Sequence, residues 1–326
     1  MKQILDVYNL KKDFPAPPGG LTLKRPMLRA VDDVSFSIGS GETLSIVGES
    51  GCGKSTLGRL ILRLTPPTSG EVWLDGERID NMPSPWLRRR RRQLQAVFQD
   101  PLASLDPRMR VRDIIAEPLI NFGIVRGRRL IDDRVAELLA KVGLGADCMR
   151  RFPHEFSGGQ RQRIGIARAL APSPSLIICD EAVSALDVSI KAQIVNLLMD
   201  LQQEFGLALL FISHDLAIVE HLSDRVAVMY LGSLVEIADR QSLFERPAHP
   251  YTRVLLSSAP APDPCAKGKA ILLQGDAPNP AHAPRGCRFH TRCPYAFDRC
   301  KMEAPELRPF SNTQVAACHL DVLPTL

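Results

Sequence analysis

The run Gly48-Glu49-Ser50-Gly51-Cys52-Gly53-Lys54-Ser55-Thr56 constrains this chain more than any other feature of it. Its spacing, G-x-x-x-x-G-K-[ST], requires a backbone that folds tightly and turns its N–H groups inward at the start of a helix. Such a cradle suits polyphosphate oxygens, because the amides and the positive end of the helix act together. The pattern therefore predicts a strand before it, over Thr43–Val47, and a helix after it, over Lys54–Leu64. Residues Gly48 to Thr56 are the predicted phosphate-binding loop. Lys54 would bring a point charge to the β and γ phosphates, and the Ser55 hydroxyl would ligate Mg²⁺. The loop indicates a nucleotide without indicating which class of nucleotide-hydrolysing fold carries it.

The rest of the first 240 residues alternates in the way such a loop demands. Short apolar runs predict further strands at Leu94–Phe98, Leu176–Asp180, Leu207–Ile212 and Val226–Tyr230. Helical patterns fall at Arg134–Val142, Gly159–Leu170, Ser189–Phe205 and Leu216–Leu222. Alternation of this kind predicts an α/β domain around a largely parallel sheet. Residues 99–158 lack a clear core strand and read as a helical insertion. The run Leu176-Ile177-Ile178-Cys179-Asp180-Glu181 ends a predicted buried strand in two carboxylates. Ligands of α/β sheets bind at that end of a strand. Asp180 fits a Mg²⁺-holding role through the metal's water shell. Glu181 fits a general base that polarises an attacking water.

A second glycine-rich turn, Ser157-Gly158-Gly159-Gln160, opens another predicted helix, with Ser157 placed to cap it. With this turn the chain resembles the ATP-binding cassette (ABC) family. The matching elements run in order: the phosphate loop, Gln99, the signature at 157–160, Asp180-Glu181, Ser184-Ala185-Leu186-Asp187 and Ser213-His214-Asp215. The resemblance covers nearly all of residues 1–255. It implies a P-loop core with a mainly parallel sheet, an antiparallel N-terminal β region, a helical subdomain at about 100–160 and a loop-rich C-terminal extension. It further implies that Gln99 ligates Mg²⁺ and senses the γ-phosphate, that Asp187 lies in a loop crossing to an opposed subunit, and that His214 contacts the γ-phosphate and steadies Glu181. Phe14 aligns with the aromatic residue that stacks on adenine. Two cassettes would bind head to tail, each phosphate loop facing the other's signature turn. Phe156 stands where the family usually has Leu, and Ala182-Val183 replace Pro-Thr; neither change removes a reacting group.

Composition shifts near residue 255. Of 26 prolines, 12 lie at or beyond Pro247, and a stretch such as Ala259-Pro260-Ala261-Pro262-Asp263-Pro264 cannot sustain a helix or a central strand. Residues 256–326 are therefore expected to form a separate, loop-rich extension. Five of the eight cysteines, Cys265, Cys287, Cys293, Cys300 and Cys318, crowd this tail. Reduced thiols point to metal ligation rather than disulfides. Together with Ala248-His249-Pro250-Tyr251-Thr252, the tail resembles that of oligopeptide/dipeptide importer ATPases. That likeness implies peptide uptake first, with nickel, antimicrobial peptides or oligosaccharide-like solutes as alternatives, and a [4Fe–4S] cluster or Zn²⁺ held by Cys287, Cys293, Cys300 and Cys318 weighed against four free thiols. It also implies as partners two membrane-spanning permease subunits, a second ATPase (a related chain or the same one) and an extracytoplasmic solute-binding protein. The expected place is the cytoplasmic face of the inner membrane. No charge-free run is long enough to span a bilayer and no secretory signal is visible. The run Arg88–Arg92 reads as a solvated helix face without interleaved aromatics, so nucleic acid is not expected as a partner. The alternative, a soluble ABC ATPase of DNA repair or translation, usually carries two cassettes or a long insertion, which this chain lacks.

Overall fold

A computed structural model describes residues 2–15, 27–258, 278–279 and 283–324. The segment after Pro15, the Pro-rich stretch 259–264 and Cys265 lie outside the described residues. The chain opens with strands β1 (Gln3–Pro15), β2 (Met27–Gly39) and β3 (Thr43–Val47), followed by α1 (Lys54–Ile61), β4 (Ser69–Leu74), β5 (Glu77–Arg78), α2 (Ser84–Arg90) and β6 (Leu94–Phe98). A helical stretch follows: α3 (Pro101–Ser104), α4 (Val111–Asn121), α5 (Arg128–Lys141) and, after two short 3-10 turns, α6 (Gly158–Leu170). Alternation resumes with β7 (Leu176–Asp180), α7 (Val188–Phe205), β8 (Ala208–Ile212), α8 (Leu216–Leu222), β9 (Arg225–Tyr230), β10 (Ser233–Asp239), α9 (Arg240–Glu245) and α10 (Pro250–Ser257). The tail adds α11 (Asp298–Met302), β11 (Arg308–Ser311) and β12 (Gln314–Ala316).

The strands form two sheets. The larger has the order β11-β12-β10-β9-β3-β8-β7-β6. Its five strands from β9 to β6 run parallel, and β10, β12 and β11 extend it antiparallel. Every residue of β3, β7 and β8 is buried, which is why each reads as a continuous apolar run rather than an alternating one. The smaller sheet, β2-β1-β4-β5, is antiparallel. One apolar core lies between this sheet, α1 and the main sheet; the other lies beneath α4 to α8 on the opposite face. Helix α7 shows how local pattern serves that second core. Ile194, Val195, Leu198 and Leu201 make one buried stripe, and Gly206, left-handed at φ 62°, ends the helix.

The tail differs from expectation in one respect. It is not only an appendage, because β12 pairs with β10 and so joins the main sheet. A buried carboxylate fixes this join. Glu236 on β10 accepts hydrogen bonds from the Ala248 and His249 amides (2.8 and 2.9 Å) and from the Gln314 side chain of β12 (2.7 Å). Three donors compensate the desolvation that burial imposes on it.

Candidate nucleotide site

The phosphate loop leaves the C-terminal end of β3 and runs close beneath its neighbours. A Cβ on Gly48, at φ 152°, would stand 2.1 Å from the Met229 carbonyl oxygen. One on Gly53, at φ 109°, would stand 2.2 Å from that of Ala30. Only glycine fits these two positions. Lys54 is buried, and its ammonium donates to the carbonyls of Gly48 (2.8 Å) and Glu49 (2.9 Å), which holds it across the loop. Ser55 Oγ donates to Asp180 Oδ1 at 2.8 Å, so the loop is tied to the end of β7. Burial raises the Asp180 pKa, and the Ser55 hydrogen bond opposes that shift. A hydroxyl and a carboxylate converging here, with Gln99 at the edge, make an all-oxygen donor set of the kind Mg²⁺ takes.

Glu181 follows Asp180 in a left-handed conformation, φ 50°. That conformation is held because its amide donates to Ile212 of β8 (3.0 Å) while its carbonyl accepts from Ser184 Oγ (3.0 Å). His214, just past β8, brings Nδ1 to 3.6 Å from Glu181 Oε1. A single cavity of about 530 Å³ is lined by Phe14, Leu28, Ala30, Ser50, Gly51, Gly53, Lys54, Ser55, Thr56, Gln99 and Glu181. Five separate segments of sequence thus converge on one space. Phe14, on β1, reaches it as a half-buried ring with Lys12 Nζ 5.0 Å from its centroid.

The signature turn is elsewhere. Ser157 caps α6: its Oγ accepts from the Gln160 amide (3.3 Å), and Gln160 Oε1 accepts from the Ser157 amide (3.0 Å). This reciprocal box closes the turn on itself. Gly159 is buried against α7, where an added Cβ would fall 2.5 Å from Ile190 Cγ2. Gly158 lies beside Leu186, whose Cδ2 would be 3.4 Å from such a Cβ. The turn therefore rests on the segment that carries Asp187. Ser157, Gly158, Gln160 and Asp187 are all exposed, and none of them lines the cavity of the phosphate loop.

Sequence reasoning missed the contacts that α10 and the tail make with the phosphate loop. The Tyr251 hydroxyl accepts from the Glu49 amide at 2.9 Å, and Arg292 bonds the Glu49 carboxylate. The only local signal was the aromatic and basic content of 287–293. Cys287, Cys293, Cys300 and Cys318 are free, and the Cys287 amide donates to the Cys300 carbonyl at 2.8 Å. Burial, with neighbouring cysteines adding to it, pushes the Cys287 thiol up to about 11 and the Cys293 thiol to about 12. Among the described residues no three or more His, Cys, Asp or Glu side chains stand in a metal-holding arrangement. The same residues contain no helix long and apolar enough to cross a membrane.

Comparison with known proteins gives a consistent result. Residues 31–184 match the family model described as ABC transporter, and residues 235–300 match that described as oligopeptide/dipeptide transporter, C-terminal region. The chain is 54% identical over 317 residues to a probable peptide ABC transporter ATP-binding protein, y4tS, of Sinorhizobium fredii, covering 97% of this chain and 90% of that one. It is 52% identical to the oligopeptide transport ATP-binding protein AppF of Bacillus subtilis, covering 97% of each. With OppF of Escherichia coli it shares 50% identity, covering 99% of this chain and 98% of the relative. Among solved structures, the dimeric post-hydrolysis cassette MJ0796 bound to ADP and phosphate superposes with a TM-score of 0.63 at 29% identity, over 73% of this chain and 99% of that one.

Proposed function

This chain belongs to the ATP-binding subunits of ABC transporters of the oligopeptide/dipeptide type, and from that premise we propose that it hydrolyses ATP to drive peptide uptake across the cytoplasmic membrane. The observation that carries the reading is the convergence of Phe14, the phosphate loop, Gln99 and Glu181 on one cavity. In this reading adenine stacks on the half-buried Phe14 ring at the rim. Loop amides and Lys54 hold the phosphates, and Lys54 shares its donors between the loop carbonyls and the incoming oxygens. Bound Mg²⁺ would be held by Ser55 and Gln99 and, through water, by Asp180, and it supplies charge neutralisation at the phosphates. Glu181 accepts a proton from the water that attacks the γ-phosphorus, and His214 steadies the Glu181 carboxylate from 3.6 Å. The products are ADP and phosphate. Positioning and electrostatics do most of this work.

The exposed signature turn supports a head-to-tail pair, in which residues 157–160 and Asp187 of one ATPase close over the nucleotide held by the other. ATP is then part of the interface, so closure depends on it. The opposed ATPase is a second copy or a related chain. A groove of about 390 Å³ lined by Leu94, Phe98, Glu117, Phe122 and Arg168, among others, brings together β6, which ends one residue before Gln99, and the helical stretch. It supports docking of the two permease subunits there. An extracytoplasmic solute-binding protein would deliver the peptide, and the ATPase would sit at the cytoplasmic face. Residues 1–255 act as the ATP-binding domain, with 256–326 as its extension. Purification from detergent-solubilised membranes tests the assignment. Recovery with membrane-spanning permeases is expected, and recovery with ribosomes or DNA would overturn it.

The cysteine tail supports a separable proposal: a [4Fe–4S] cluster or Zn²⁺ on Cys287, Cys293, Cys300 and Cys318. Support comes from the donor chemistry, four free thiols in one extension with the Cys287 amide bonded to the Cys300 carbonyl; among the described residues the side chains as they stand do not form a metal-holding group. Iron, sulfide and zinc analysis of anaerobically purified protein decides it; folded, metal-free protein refutes it.

A further inference from the structure

Glu49, the second residue of the phosphate loop, is a carboxylate inside an element that binds anions. A residue 243 positions away in sequence offsets it. Arg292 Nη1 donates to both Glu49 carboxylate oxygens at 3.0 Å, and the Arg292 side chain is only 10% exposed. The same nitrogen reaches the Tyr230 hydroxyl at 3.5 Å. Tyr230, Tyr251 and Phe289 pack against one another with ring centroids 4.6 to 5.4 Å apart, and the Tyr251 hydroxyl accepts from the Glu49 amide. Arg288 anchors the segment further by bonding Asp32 and the Leu231 carbonyl. Glu49 is thus gripped twice from outside its loop, a hydroxyl on its backbone and a guanidinium on its carboxylate. The charge it carries is felt inside the loop: burial is the main cause of the raised Cys52 pKa, but Glu49 adds to it.

We propose that Arg292 is a positioning residue of the nucleotide site: by neutralising and orienting Glu49 it sets the affinity of the phosphate loop, so that the 287–293 segment of the C-terminal extension is a working part of that site. The inference rests on the reading of this cavity as an ATP site. Its logic is electrostatic. Glu49 does not line the cavity, but an uncompensated carboxylate on the loop that would hold the triphosphate repels it across that loop, more strongly in a partly buried setting than in water. The guanidinium cancels the charge and, with Nη1 on both oxygens, holds the carboxylate outward. Removing Arg292 exposes the repulsion; removing the Glu49 charge as well abolishes it. The two substitutions therefore compensate in affinity, whereas a contact that served packing alone would not show this.

The test is calorimetric binding of Mg²⁺ and a non-hydrolysable ATP analogue to the purified full-length chain, together with KM and kcat for ATP in the assembled complex. Arg292→Gln is expected to weaken binding and raise KM about tenfold, about 1.4 kcal/mol, with kcat within roughly twofold. Arg292→Lys keeps the charge on a shorter side chain with a differently placed donor and should fall between, at about threefold. The double variant Arg292→Gln/Glu49→Gln should return to within roughly threefold of the parent, and added salt should narrow the Arg292→Gln defect. If Arg292→Gln does not fold, Arg292→Lys and the double variant carry the comparison. Folded Arg292→Gln that binds within twofold of the parent, or a double variant no tighter than Arg292→Gln, overturns the proposal. Failure of the parent chain itself to bind the analogue overturns the ATP reading and this inference together.

Discussion

Two glycine-rich turns open helices in this chain, and they are built on opposite plans. The turn at 48–56 is enclosed: Lys54 is buried and bonded to its own loop, Ser55 is tied to Asp180, and the loop faces a cavity shared with Phe14, Gln99 and Glu181. The turn at 157–160 is exposed, is satisfied by its own capping box, and rests on the segment that carries Asp187. In the proposed reading, one half of the site is finished within a single chain, and the other is offered outward. Binding should depend on the first turn alone, while turnover should need both. Substitutions that separate binding from turnover are the means of breaking or sharpening this contrast.

The largest effect falls on the shared chemistry. Glu181→Gln removes the proposed base and should lower ATP turnover by about 10²- to 10⁴-fold with nucleotide affinity retained, as steady-state kinetics and equilibrium binding would show. Lys54→Ala acts on the enclosed turn. It removes charged hydrogen bonds and should weaken nucleotide binding by the isolated chain roughly 10- to 100-fold, measured by calorimetry. On the exposed turn, a pair of variants is diagnostic. Gly159→Ala forces a Cβ to 2.5 Å from the stiff Ile190 side chain and should cost about 1–3 kcal/mol in denaturant unfolding. Gly158→Ala has room beside Leu186 and should cost much less. The smallest effect is expected at Phe14. Its ring is half-buried, so Phe14→Ala should lose about 1 kcal/mol of adenine stacking, seen as a roughly fivefold rise in the dissociation constant.

Much of this was legible in the chain itself, for physical reasons that also mark the limits. β3, β7 and β8 are buried on both faces and so appear as unbroken apolar runs. The two turns declare themselves because anion cradles need glycine at fixed intervals. Element ends were less visible. The helix expected over Lys54–Leu64 ends at Ile61, and Arg63 beyond it takes a left-handed φ of 52°. Helix α5 begins at Arg128 rather than Arg134: its first turn is exposed except for Ile131, and the charged residues around that position hide the stripe it shares with Val135, Leu138 and Leu139. Strand β12 is three residues long in a Pro-rich tail, and its place in the sheet depends on the distant Glu236. The grip of Arg292 on Glu49 joins residues 243 apart, and the aromatic and basic content of 287–293 does not say which distant residue it meets.

The most direct test of the divided site replaces Ser157 and Gly158 with glutamate in the assembled complex and measures binding and hydrolysis side by side. The account predicts that the isolated variant chain binds nucleotide as tightly as its parent while turnover in the complex falls at least about a hundredfold, because two carboxylates now meet the triphosphate held by the opposed subunit. Full-rate hydrolysis by that variant would contradict it.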